Sequence, residues 1–179
     1  MTTVTSQISA LTSKYSSSIA RQIRSARSHV RKYFPQGYEL VFENANALGF
    51  GYSFSDRGSG VLVSIVAYPR WLTLFFFEGT ELPDPVRLLE GSGARIRSVR
   101  LDPFALLQSS EVAALLDEAT RRHRDDFAGT PPLATVLKSV AKTRRPRRPA
   151  AGGTKVVGSR RSGAGKVPPN KSLERSRER

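Results

Sequence analysis

Two apolar runs, VLVSIVA at 61–67 and WLTLFFF at 71–77, stand only three residues apart, and that spacing constrains the fold more than any other feature. Tyr68-Pro69-Arg70 is too short for a crossover, so the two runs must lie antiparallel as neighbours. In 71–77 both alternating sets are apolar. Trp71, Thr73, Phe75 and Phe77 share one face, and Leu72, Leu74 and Phe76 share the other. A sheet wetted on one side alternates apolar with polar residues. This strand therefore expects cover on both faces, from a helix layer, a partner subunit or a ligand.

The segments around this pair extend it into a meander. Strands are expected at 39–43 and 48–54, either side of Asn44-Ala45-Asn46, where asparagines suit a turn. An excursion spans 79–93, in which Pro83 and Pro85 hold Leu82 and Asp84 extended and 86–90 can make one helical turn. A fifth strand is expected at 95–101. Ahead of the strands, Ile8, Leu11, Tyr15, Ile19, Ile23, Ala26, Val30 and Phe34 recur every three or four residues, which reads as one or two helices ending before Pro35 and Gly37. A late helix is expected over 110–124, with Ser110 as its N-cap and Arg121, Arg122 and Arg124 favouring its end. The expected fold is α+β: an antiparallel sheet of about five strands packed by N-terminal and C-terminal helices, spanning residues 5–128.

Charge is distributed unevenly. The 179-residue chain has a formal net charge of +14, and residues 138–179 hold 14 of its 29 Lys and Arg residues against only Glu174 and Glu178, giving that stretch +12. Residues 129–179 are rich in Pro, Gly, Ser and basic residues. With few large apolar side chains to offset ordering entropy, they are expected to form a disordered basic tail. Its densest cluster, Arg144, Arg145, Arg147 and Arg148, could bind nucleic acid without sequence preference, since no aromatic residues interleave for stacking. The chain has no cysteine, which excludes disulfides, thiolate metal sites and a cysteine nucleophile. No apolar run approaches the roughly 20 residues a bilayer needs, and the start has no signal-peptide core, so a cytoplasmic protein is expected.

Few motifs carry chemistry. Gly91-Ser92-Gly93 followed by Arg95 and Arg97 reads either as a turn feeding a strand or as an anion nest. It is no P-loop, because no Gly-Lys-Ser/Thr follows. Alternation puts one of these arginines on the core face, where it would need a carboxylate; Asp84 and Glu90 are near in sequence. Tyr68, Trp71 and Phe75 could pack in the core or offer an aromatic surface to a ligand or a second copy of the chain. The two histidines, His29 and His123, lack metal-set spacing, and no serine sits in a nucleophile elbow. The residues thus point to a non-enzymatic domain with no cofactor and no metal set, binding a small molecule or protein partner, with Tyr68, Trp71, Asp84, Glu90, Arg95 and Arg97 as candidate ligand residues and a homodimer as one possible assembly.

YELVFENANALGFGYSF, together with VSIVAYPRWLTLFFFEGTELPDPVRLLEGSGARIRSVRL, resembles the YdhG-like family, a bacterial domain family of unknown function. The resemblance covers roughly residues 10–122. It is carried by Ala67-Tyr68, Gly79, Leu82-Pro83-Asp84-Pro85, Leu89-Glu90-Gly91-Ser92-Gly93 and the stretch from Arg97 to Leu101. It implies a frataxin-like fold, and an iron or metal chaperone as an alternative function. An acidic first helix would serve iron binding. Here Lys14, Arg21, Arg24, Arg27, Arg31 and Lys32 occupy that region with no carboxylate among them.

Overall fold

A computed structural model describes residues 3–44 and 46–139. The expected tail from residue 140 onward, including Arg144, Arg145, Arg147 and Arg148, lies outside the described residues. Helices α1 (Val4–Thr12) and α2 (Ser17–Val30) precede strands β1 (Tyr38–Glu43), β2 (Leu48–Ser53), β3 (Val61–Ala67), β4 (Leu72–Phe76) and β5 (Arg97–Leu101). Helices α3 (Ser110–Arg122) and α4 (Arg124–Phe127) and strand β6 (Ala134–Ser139) follow. Among the described residues, no helix is long and apolar enough to cross a membrane.

Each long helix starts at a hydroxyl that satisfies an otherwise free backbone donor. Thr3 accepts from the Ser6 amide, Ser16 from Ile19 and Ser109 from Val112. The last of these corrects the sequence expectation by one residue: Ser109 has the extended backbone of a cap, and Ser110 is already helical. At the hairpin tip the Asn44 side chain accepts from the amides of Asn46 and Ala47, both at 2.9 Å, which is the turn role expected of it.

The sheet runs β5-β4-β3-β2-β1-β6. Strands β1 to β5 form the antiparallel meander, and β6 pairs parallel with β1. The sheet is thus mixed and six-stranded, a correction to the antiparallel five-stranded expectation. Residues 134–139, assigned from composition to the tail, are an edge strand, so the folded unit reaches beyond 128. Backbone pairing brings them in. Gly37 donates to Pro131 at 2.8 Å and accepts from Ala134 at 3.0 Å, while Leu133 donates to Pro35. Gly37 has φ +97°, and a Cβ there would lie 2.5 Å from the Ser53 carbonyl, so this junction requires glycine.

One face of the sheet carries the core. Register aligns Val41, Phe50, Ile65, Leu74 and Val99 across five strands. These residues join Ile23, Ala26 and Val30 of α2 and Val112, Leu115 and Leu116 of α3 in one buried cluster. Leu72, Leu74 and Phe76 are buried on this face as alternation requires. The other face is built differently from expectation. Along the row Phe42, Gly49, Val66, Thr73 and Arg100, small and polar residues separate the large ones, although Leu40, Ser64 and Thr73 on this face are buried. Phe77 lies just past β4, its amide still donating to the Leu62 carbonyl at 2.9 Å.

A carboxylate sits within the core face. Glu39 lies on the same side of β1 as Val41 and is fully buried. It accepts two hydrogen bonds from Arg27, one from Arg31, one from the Tyr52 hydroxyl and one from Thr135 on β6. Burial alone would raise its pKa, but the Arg27 hydrogen bonds and the charges of Arg27 and Arg31 prevail and lower it. The same network lifts the Tyr52 hydroxyl well above its usual value, chiefly by burial and then by the Glu39 charge.

Candidate functional site

The excursion between β4 and β5 builds the most composite pocket. Gly79 lets it begin close against β5, since a Cβ there would stand 2.4 Å from that of Arg97. Asp84 then accepts from the amides of Leu88 and Leu89 at 2.8 and 2.7 Å. Glu90 exchanges both backbone hydrogen bonds with Ser98, at 2.8 and 2.9 Å. Pinned at both points, the segment turns back so that 93–96 lie over the end of β4.

Glu78, just past β4, gathers two elements. One carboxylate oxygen accepts from Arg95 at 2.6 Å, and the other lies 2.8 Å from His123 Nε2. The opposite ring nitrogen of His123 lies 2.7 Å from Asp126. Arg122 pairs with Glu81 alongside. His123 sits at the break between α3 and α4, with its ring stacked on Phe54 at a centroid separation of 6.1 Å. Burial disfavours the imidazolium, but hydrogen bonds to Asp126 and Glu78 outweigh it and raise the His123 pKa. Glu78 responds in the opposite sense: its hydrogen bond to His123, with help from Arg95 and Arg122, lowers its pKa against a desolvation penalty.

Above this cluster opens a cleft of about 440 Å³. Phe54, Val61, Leu62, Phe77 and Ile96 supply apolar walls, and Glu78, Arg95 and His123 form one end. When His123 is protonated the cluster is balanced, with three carboxylates (Glu78, Glu81, Asp126) facing Arg95, Arg122 and the imidazolium.

The residues singled out from sequence are dispersed. Arg95 lines the cleft. Arg97 does not: its guanidinium donates to the carbonyls of Gly93 and Ile96 at 2.5 and 2.8 Å. The expected partnership of a core-face arginine with Asp84 or Glu90 is corrected accordingly. Arg97 opens β5 half-buried and is satisfied by loop carbonyls, Asp84 serves backbone amides, and Glu90 pairs through its backbone. The segment 86–90 is held by Asp84 as a turn, without a helix. Tyr68 and Trp71 lie at the opposite end of the strands, ring centroids 5.3 Å apart, with the Arg100 guanidinium 4.5 Å above the Trp71 ring. Sequence reasoning missed Glu78, Phe54 and the role of His123. The available signal was Glu78 directly after an apolar strand, with an arginine two residues beyond the glycine turn. Among the described residues, no three His, Asp or Glu side chains are grouped to hold a metal ion.

No family model matches this chain, and neither a curated protein nor a solved structure does.

Proposed function

We propose that this is a non-catalytic binding domain of the YdhG-like kind, and that the cleft beside His123 takes a small molecule with an apolar body and an uncharged polar head. The observation that carries this reading is the pairing of five apolar walls with a charge-balanced end. A charged head would bring a charge for which the ion cluster has no free partner, and an unpaired charge at a partly desolvated site is costly. An uncharged hydrogen-bonding head can use the remaining capacity of Glu78 and Arg95. Both ring nitrogens of His123 are already held by carboxylates, which favours a structural and recognition role over proton transfer to a substrate. The resemblance to YdhG-like domains supports the fold in this reading, and the lack of an apolar run of membrane length supports the cytoplasm as its compartment.

Thermal shift of the full chain against amphiphiles of fixed apolar body and varied head group tests this. Neutral hydrogen-bonding heads should raise the melting temperature more than acidic or basic ones. Leu62→Trp, which fills the cleft, should abolish the shift. An unchanged response in Leu62→Trp would remove the cleft from the reading.

The charge of residues 138–179 favours a second activity, non-specific nucleic-acid binding. Its affinity should fall steeply with salt, because each neutralised phosphate releases counterions. Deleting 140–179, which leaves β6 whole, should abolish it, and binding that survives the deletion would transfer the contact to the basic face of α2.

A further inference from the structure

A second cleft differs from the first in its charge. It has a volume of about 390 Å³ and is lined by Val4, Thr5 and Ile8 of α1, Arg27 of α2, Arg31 at the C-cap of α2, and Thr135 of β6. Among the described residues, the carboxylate these arginines meet is Glu39, fully buried beneath the two guanidinium groups. Two cations over one anion leave an excess of one positive charge. Neither α1 nor α2 contains an acidic residue to offset it. Arg27 spends Nε and one terminal nitrogen on Glu39, and its planar group also lies 4.6 Å over the Phe50 ring. Arg31 gives Glu39 a single terminal nitrogen, and its remaining donors have no acceptor among the described residues. Its side chain is 39% exposed, so those donors are reachable from the cleft.

We propose that this cleft binds a small carboxylate with a short aliphatic body. The planar fork of Arg31 matches a carboxylate, which can accept two hydrogen bonds in parallel. Val4, a large apolar side chain left exposed, and Ile8 supply a wall for the aliphatic part. The bound anion completes a charge balance that the protein leaves open: two guanidinium groups facing two carboxylates, one internal and one from the ligand. This site is independent of the His123 cleft, whose cluster is already balanced, and the two clefts therefore select different head groups.

The test is a side-chain NMR titration of the full chain, following the Nε–Hε signals of Arg27 and Arg31. The probes are sodium acetate, butyrate and phosphate, with sodium chloride matched for ionic strength. Butyrate should move the Arg31 signal saturably and at lower concentration than acetate, and chloride should not saturate. Arg31→Gln should weaken the butyrate midpoint by about tenfold or more, followed on Arg27, as loss of a charge-assisted hydrogen bond implies. Thr5→Trp, which fills the exposed rim from α1 and keeps both arginines, should weaken it comparably while leaving the Arg27 and Glu39 signals in place. Equal responses to chloride and butyrate would overturn the proposal, as would an unchanged midpoint in Thr5→Trp. Tighter saturable binding of phosphate than of butyrate would overturn the carboxylate assignment.

Discussion

Arg27 meets Glu39 through two parallel hydrogen bonds, 3.0 Å from Nε and 2.7 Å from a terminal nitrogen, at a point where the carboxylate has no exposure to solvent. The pair ties α2 to β1, and Thr135 adds β6 to the same carboxylate. Truncating one partner of such a pair strands a buried charge, at a cost of about 3–5 kcal/mol, whereas replacing both with apolar groups is far milder. Arg27→Leu should therefore destabilise strongly, and Arg27→Leu combined with Glu39→Leu should recover much of the loss. Urea unfolding of the two single variants and the double variant checks this. A double variant as unstable as the sum of the singles would contradict it.

Acid should weaken the fold through the two depressed carboxylates. Glu39 and Glu78 both titrate below 4.5 in the folded chain, so their contribution is complete above pH 4.5 and is lost as pH falls through their lowered folded values. The histidine behaves in the opposite sense. His123 titrates above 6.5 when folded, so its contribution is complete below pH 6.5 and is lost as pH rises through the raised value. The melting-temperature difference between wild type and His123→Gln should therefore be larger near pH 6 than near pH 9. Equal differences at the two pH values would remove the ion cluster from the account of stability.

Two glycines with positive φ should differ in their tolerance of a side chain. Gly37 faces the Ser53 carbonyl and the Phe127 ring, while Gly129, at φ +84°, has open space where its Cβ would be. Gly129→Ala should cost only the backbone strain of about 1 kcal/mol, and Gly37→Ala should cost clearly more, because the clash is with the Ser53 backbone at the end of β2. Denaturant midpoints of the two variants give the comparison.

Edge strand β6 should be protected from exchange. The amide of Ala134, donated to Gly37, should exchange slowly, and a chain ending at residue 131 should lose stability along with the Thr135 hydrogen bond to Glu39. Hydrogen exchange at Ala134 as fast as in a free peptide would contradict the sixth strand.

The parts of the fold legible in the sequence were those set by local pattern. The run 71–77 could be read directly as a strand, but with both of its alternating sets apolar the pattern did not choose between faces, and the core face proved to be that of Leu72, Leu74 and Phe76. The 3.6-residue stripe of Ile19, Ile23, Ala26 and Val30 likewise shows its buried side. Strand β6 was hidden because residues 134–139 sit in a Pro-rich, basic stretch, and the hydrogen bonds that recruit them come from Pro35 and Gly37, almost a hundred residues earlier. Glu39 was hidden for a related reason. Alternation sets it beside Val41, but its compensation by Arg27, Arg31 and Thr135 exists only once one helix and an edge strand have converged on β1. At the candidate site, Arg95 was visible through its glycine turn. Its partner Glu78 and the histidine behind it are 17 and 28 residues away in sequence, on opposite sides of it, with no spacing rule to join them.

The cleft beside His123 is the central claim, and native mass spectrometry of the full chain purified from its own cells tests it most directly. The account predicts a retained neutral small molecule on the wild type that is lost from Ile96→Asp, a substitution at a side chain already 42% exposed on the cleft rim. A molecule retained equally by Ile96→Asp, or a wild-type mass equal to that of the bare chain, would contradict it.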